Sequence, residues 1–190
     1  MKTLLHVCCG PCAEWPLRVL ADRGTNLAAG EATGYFYNPN IHPREEHARR
    51  LENAARVASL RGLPFESDPA YDEAPFRARM DDPPVHGDGT ASPRCRQCYA
   101  MRLEAAARRA AEIGAEAFTT TLLVSPYQDH LALAEIGRAA GERHGVRFLE
   151  EDFRDGYREG QRMAREDGLY RQRYCGCVAS LAPRDAEGPP

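Results

Sequence analysis

The sequence predicts an α/β fold, a largely parallel sheet flanked by helices, and three observations carry that expectation. Short apolar, β-prone runs alternate along the chain with longer stretches of helical spacing. Glycines at 24, 62 and 114 stand where three of those stretches should stop. A length of 190 residues with 43% hydrophobic content suits one compact core and is too short for two comfortable ones. The expected organisation is a single α/β domain over residues 1–181. The polar, Pro-terminated tail over 182–190 should be disordered.

Thr3 to Val7 reads as the first strand, and it runs into Cys8-Cys9-Gly10-Pro11-Cys12. A helix follows from Trp15 to Ala21. The aromatic run Gly34 to Tyr37 is strand-like, and Asn38-Pro39-Asn40 breaks it into a loop that reaches His42-Pro43. Between Glu45 and Arg61, residues Leu51, Ala54, Ala55 and Ala58 keep helical spacing. Leu63 to Glu66 forms the third strand. Residues 81–94, rich in Asp, Pro and Gly, carry no periodicity and read as a surface loop. Cys95 to Ile113 is a long amphipathic helix, and Ala117 to Val124 is a buried strand. Ser125-Pro126 is then expected to cap and open a helix running to about His144. Val146 to Leu149 supplies the last strand.

No stretch reaches the roughly 18 unbroken apolar residues of a membrane helix, and the N-terminus lacks the pattern of an export signal. A cytoplasmic protein is expected, with no membrane partner. The net charge of −3 argues against a nucleic-acid partner unless basic residues are concentrated. All basic residues but Lys2 are arginines, and half of them gather at 44/49/50, 94/96/102, 154/158/162/165 and 171/173. Arginine forks suit phosphate oxygens. Solvated helix faces would account for the same clusters equally well.

The seven cysteines point further. They fall in three windows: Cys8, Cys9 and Cys12; Cys95 and Cys98; Cys175 and Cys177. A reducing compartment keeps thiols free, so clusters there point to metal or redox chemistry rather than a disulfide framework. Cys95-x-x-Cys98 opens a helix, where i, i+3 spacing puts both sulfurs on one face and the positive helix end favours thiolates. The first cluster follows a strand, at the sheet edge where open α/β folds bind ligands. Taken singly, a CxxC can be a zinc clip and a CC pair a buried apolar patch. Three such windows in one chain make coincidence a poor account.

A [4Fe–4S] cluster takes four thiolates and a structural zinc about four ligands, so one site leaves roughly three sulfurs over. The surplus serves either a second metal or a redox dithiol. Cys8 and Cys9, as neighbours on an extended backbone, should point apart and not share one ion easily. Cys175 and Cys177 are the candidate redox pair. Among the histidines, His6 reads as a satisfied core residue, His144 as a helix-end cation, and His42 as a candidate ligand or proton donor.

The sequence resembles the QueH family of epoxyqueuosine reductases in seven motifs spread over residues 4–180. They are Leu5 to Cys12, Tyr35 to Pro43, Arg94 to Tyr99, Arg102-Leu103, Thr119 to Tyr127, Asp152 to Arg154, and Leu169 to Cys177. The resemblance implies a metalloenzyme that completes queuosine synthesis, reducing an epoxide on a modified tRNA base to an alkene without cobalamin. It also implies a fold similar to that of tRNA thiolases and adenylating enzymes. Cofactors so implied are a [4Fe–4S] cluster and an optional additional mononuclear iron. Cys8, Cys9, Cys95 and Cys98 map to cluster-associated positions and Cys175/Cys177 to the redox pair. Cys12 either extends the metal site or stands beside it. Partners so implied are tRNA carrying epoxyqueuosine and an external electron donor, ferredoxin- or flavodoxin-like or another reductant. Tyr37, Asn38, His42, Tyr127, Arg171 and Tyr174 are the substrate-binding candidates. Tyr37, Tyr127, Tyr170 and Tyr174 could stack on bases, as loop RNA is usually read. Arg158, Arg162 and Arg165, at i, i+4 and i+7, would share one helix face toward phosphates.

Two rivals remain. An ATP-dependent tRNA thiolase would need a Gly-rich phosphate loop after the first strand, where Cys-Cys-Gly-Pro-Cys stands and Pro11 removes an amide donor. A non-enzymatic zinc-binding module would be colourless, whereas an iron–sulfur protein is brown.

Overall fold

The structure, a computed structural model, describes residues 1–68, 71, 74, 90–177 and 179–180. Most of the expected 81–94 loop and the whole 182–190 tail lie outside the described residues. Five parallel strands form one sheet: β1 (Thr3–His6), β2 (Ala32–Phe36), β3 (Phe65–Ser67), β4 (Ala117–Thr120) and β5 (Arg147–Phe148). Among the described residues five helices flank it: α1 (Gly10–Asp22), α2 (Arg44–Leu60), α3 (Pro93–Glu112), α4 (His130–His144) and α5 (Tyr157–Glu166). The α/β fold is therefore as the alternation implied. No described helix is long and apolar enough to cross a membrane.

The strand order is β3-β2-β1-β4-β5. The chain winds outward from β1 to β3, then crosses back to β4 on the other side of β1. That reversal opens a crevice between the carboxyl ends of β1 and β4, the place where parallel α/β sheets bind ligands. The central strands are buried on both faces: Leu4 and Leu5 are fully buried on β1, and Phe118 on β4. Two apolar layers result, one built on Leu4, Leu103, Phe118 and Leu133, the other on Leu5, Leu17, Phe36 and Val57.

Several boundaries differ from those expected. Helix α1 begins at Gly10, five residues before Trp15, because Pro11 in its first turn costs no hydrogen bond there. The expected strand over Ala117–Val124 ends at Thr120, and Thr121–Val124 forms a 3₁₀ turn. The Thr120 hydroxyl accepts from the Leu122 amide at 3.2 Å and turns the backbone out of the sheet. Ser125 is not the cap of α4. Asp129 is: its carboxylate accepts from the Ala132 amide at 2.9 Å and also from the Ala91 amide at 2.9 Å, tying α4 to the entry of α3.

Helix α5 packs on α1 through a point contact that tolerates no side chain. A Cβ at Gly156 would lie 1.9 Å from Cε2 of the Trp15 indole. Gly156→Ala must displace a rigid ring, and overpacking of this kind costs about 1–3 kcal/mol. The melting temperature should fall by about 2–4 °C for each kcal/mol in a chain of this size. A scanning-calorimetry trace matching wild type would show that Trp15 can swing aside freely.

Candidate functional site

At the crevice β1 ends at His6, and the chain bends at Cys8 before Cys9 takes the N-cap position of α1. Gly10 is required there, because its Cβ would come within 2.7 Å of the Asn53 carbonyl on α2. The bend ends the side-chain alternation of the strand. Cys8 and Cys9 consequently do not point apart, as an extended backbone would have them; their sulfurs are 3.8 Å apart. Cys12, one turn into α1, joins them, and all three Sγ atoms lie within 4.8 Å of one another. Among the described residues this is the group arranged to hold a metal ion.

His6 beneath the bend is fully buried, with Nδ1 2.9 Å from Thr120 Oγ1 and Nε2 3.1 Å from the Tyr37 carbonyl. Burial lowers its pKa to about 4, with Arg102 acting in the same direction. It is the satisfied core histidine expected. Cys8 is held well below the usual thiol range, first by hydrogen bonding from Cys12, then from Cys9 and from Thr121, whose hydroxyl lies 3.1 Å from the sulfur. Cys12 is pushed up by the same sharing with Cys8, and Cys9 is pushed up by burial.

The second pair sits at the start of α3. Ser92 caps that helix, accepting from the Cys95 amide at 3.3 Å, so Cys95 and Cys98 lie one turn apart facing the crevice. The helix end does not by itself ionise Cys98: burial pushes its thiol up to about 12, against the opposing pull of Arg102. Cys175, Cys177 and Cys95 add to that rise, which places the three thiols within electrostatic reach of Cys98.

The third pair is set by a tight turn. Gly176 has φ of +109°, which only glycine adopts without strain. Arg50 on α2 holds the turn: Nη2 donates to the Tyr174 carbonyl at 3.0 Å and Nη1 to the Cys175 carbonyl at 3.1 Å. Its Nε is 2.7 Å from Glu46, and both side chains are almost fully buried. Tyr174 lies under that guanidinium, 5.0 Å away, and its hydroxyl donates to the His42 carbonyl. The His42 amide in turn donates to the Gly176 carbonyl at 2.8 Å. The backbone of His42 thus ties down the turn.

These pieces enclose one cavity of about 640 Å³, and six of the seven cysteines line it: Cys8, Cys12, Cys95, Cys98, Cys175 and Cys177. Cys9 lies just behind, 1% exposed. Of the substrate-binding candidates, Asn38, Tyr127 and Tyr174 line the cavity. Tyr37, His42 and Arg171 are not among its lining residues. Tyr37 stacks on Tyr35 with ring centroids 6.4 Å apart, and Arg171 is exposed. Tyr127 stands 68% exposed at the rim, edge-on to Tyr157 at 6.1 Å.

The arginine clusters break up in three dimensions. Arg94 and Arg102 are 3% and 4% exposed and face the cavity, whereas Arg96 pairs with Glu135 on the surface. Arg162 is held by Glu159 and Glu166, so α5 does not offer the free triad of Arg158, Arg162 and Arg165. Arg158, Arg165, Arg171 and Arg173 are exposed, and Arg173 lines the cavity. Sequence reasoning gave no individual role to Thr121, Gln172 or Tyr157, and it read Arg50 and Arg102 only as members of phosphate-facing or solvated clusters. For two of them a signal was present: Arg102 lies four residues after Cys98, and Arg50 four after Glu46, each on the face of its partner.

The donor set suits a metal–thiolate centre. Thiolates are soft ligands, and three of these sulfurs are gathered within 4.8 Å of one another. A centre bound by several thiolates is anionic, and Arg50, Arg94 and Arg102 place three buried cations around the cavity to offset that charge.

Comparison with known proteins points to a family. The family model described as "Epoxyqueuosine reductase QueH" matches residues 3–183. A relative of that name from Dehalococcoides mccartyi is 35% identical over 179 residues, 94% of this chain and 92% of its own. One from Thermotoga maritima is 37% identical over 185 residues, 95% and 91% of the two chains. One from Helicobacter pylori is 38% identical over 94% of this chain but only 49% of its own length.

Proposed function

Because the chain belongs to the QueH family of epoxyqueuosine reductases, we propose that it reduces epoxyqueuosine in tRNA to queuosine, the final step of queuosine synthesis. The observation that carries this reading is the convergence of six cysteines from three distant stretches of chain on one cavity at the sheet's switch point. A tRNA-modifying role fits a cytoplasmic enzyme, in a compartment where thiols stay reduced.

Deoxygenating an epoxide breaks two carbon–oxygen bonds, forms a carbon–carbon double bond and releases water, consuming two electrons and two protons. Cys8, Cys9, Cys95 and Cys98, with Cys12, would hold a [4Fe–4S] cluster and, beside it, a mononuclear iron. When bound, these supply electrons one at a time and Lewis acidity toward the epoxide oxygen. The protein's own residues do the rest. Cys175 and Cys177, closing to a disulfide, release two electrons and two protons, the full requirement of the reaction. Cys175 is exposed, so a ferredoxin- or flavodoxin-like donor can reach the pair and reopen it, while Cys177 is only 8% exposed beside the cavity. No cobalamin enters this scheme.

The flipped base would enter past the exposed Tyr127 and the half-buried Tyr157, whose edge-on rings offer a stacking platform at the rim. Asn38 and Tyr174 would face it from the wall, and Tyr37 and His42 would act from behind that wall through the backbone they hold. Arg171 and Arg173, exposed beside the rim, would meet anticodon-loop phosphates.

The deciding experiment is anaerobic reconstitution with iron and sulfide, then incubation with a low-potential reductant and epoxyqueuosine-containing tRNA, read by nucleoside mass spectrometry. The expected outcome is brown protein and a product lighter by one oxygen. Brown, folded protein that leaves the epoxide intact with every reductant would sink the assignment.

A further inference from the structure

After α5 the chain crosses back over the start of α1. The Tyr170 amide donates to Asn53 Oδ1 at 2.8 Å and the Tyr170 hydroxyl to Glu46 Oε2 at 2.9 Å, which fixes the strap on α2. Two residues later the Gln172 side chain reaches the gathered thiols. Its Nε2 lies 2.8 Å from Cys9 Sγ and 3.7 Å from Cys12 Sγ, while its Oε1 is buried and meets no hydrogen-bond partner among the described residues.

The amide lies within reach of both sulfurs, and which of its ends faces them depends on whether the sulfurs carry protons. Protonated thiols could donate to the amide oxygen, and the side chain could then turn its oxygen to the sulfurs and its NH₂ away. A sulfur bound to a metal carries no proton and can only accept, so there only the NH₂ group attracts it. Leaving a buried carbonyl oxygen unsatisfied is a cost that the N–H···S contacts must offset. Hydrogen bonds donated to cluster sulfurs stabilise the reduced, more negative state and raise its reduction potential.

We propose that Gln172 is a positioning residue that donates hydrogen bonds to the Cys9 and Cys12 sulfurs and thereby sets the reduction potential of the metal centre they hold. The inference rests on the iron–sulfur reading given above. It goes beyond that reading by assigning the tuning of the potential to a residue that is not a ligand. Thr121 plays the corresponding part at Cys8, 3.1 Å from its sulfur, but it also accepts from the Cys8 amide at 2.9 Å and so cannot be replaced without disturbing the bend.

The test compares wild-type protein with Gln172→Leu and Gln172→Glu, all reconstituted anaerobically, by iron and sulfide content and by potentiometric titration followed in the visible spectrum and by electron paramagnetic resonance. The expected result is unchanged iron content in the variants, with a midpoint potential shifted negative for Gln172→Leu and further negative for Gln172→Glu. Equal potentials at equal iron content would overturn the proposal, leaving Gln172 as part of the cavity wall. Loss of iron from both variants would also overturn it, by making the residue necessary for holding the metal. Loss from only one leaves the other to decide by its potential. Wild-type protein that takes up no iron refutes the iron–sulfur reading itself, and with it this inference, before any variant is compared.

Discussion

Serine at both Cys175 and Cys177 is expected to reduce turnover on epoxyqueuosine-containing tRNA to background while leaving iron content and visible absorption at wild-type values. The separation follows from the division of roles proposed above, with Cys8, Cys9, Cys12, Cys95 and Cys98 at the metal and Cys175 with Cys177 as the dithiol. Cys175 is exposed, its sulfur 3.0 Å from the Ser180 hydroxyl, a setting for exchange with an outside reductant. Serine keeps the size and a hydrogen-bonding atom, so the turn at Gly176 should survive. Either single serine should be as inactive as the double, because a disulfide needs both sulfurs. Iron analysis and nucleoside mass spectrometry on the same preparations decide it. If iron is lost with activity, the pair belongs to the metal site and the dithiol scheme is wrong.

How far the sequence alone reached can be read from particular residues. The strands β1 to β5 were legible as short β-prone runs between helical stretches, although β3 and β5 are only partly buried. The end of β4 was not, since Thr119 to Val124 is β-prone throughout and only the Thr120 hydroxyl, bonded to the Leu122 amide, marks the turn. The three cysteine windows were visible, but their meeting at one cavity depends on the β1–β4 switch point, a fact of topology rather than of local pattern. The alternation rule misjudged Cys8 and Cys9 because it assumes a strand that has already ended at His6. Arg50, Arg94 and Arg102 were the harder misreading. Arginines in a helical stretch look like a solvated face, and it takes a buried anionic partner, carboxylate or thiolate, to draw them inside. The carboxylate for Arg50 was four residues away. The thiolates for Arg102 were spread over the whole chain.

Arg50→Leu should have the second large effect, through the turn that carries the dithiol. The substitution leaves Glu46 buried without its cation and removes donors from the Tyr174 and Cys175 carbonyls. Breaking a buried pair from one side costs about 3–5 kcal/mol. Arg50→Lys keeps the charge but not the fork that serves a carboxylate and two carbonyls at once, so it should fold with a smaller loss and still turn over poorly. Stability and positioning can be told apart by Glu46→Leu combined with Arg50→Leu. With both charges removed, an apolar pair of similar bulk should recover much of the stability, since a buried ion pair contributes little net against such a replacement. The carbonyls would still lack their donors, and the Gly176 turn would still be untethered on that side. Denaturant midpoints should therefore recover in the double variant while turnover does not. Equal recovery of both would mean that Arg50 acts on the folded state as a whole and not on the placement of Cys175 and Cys177.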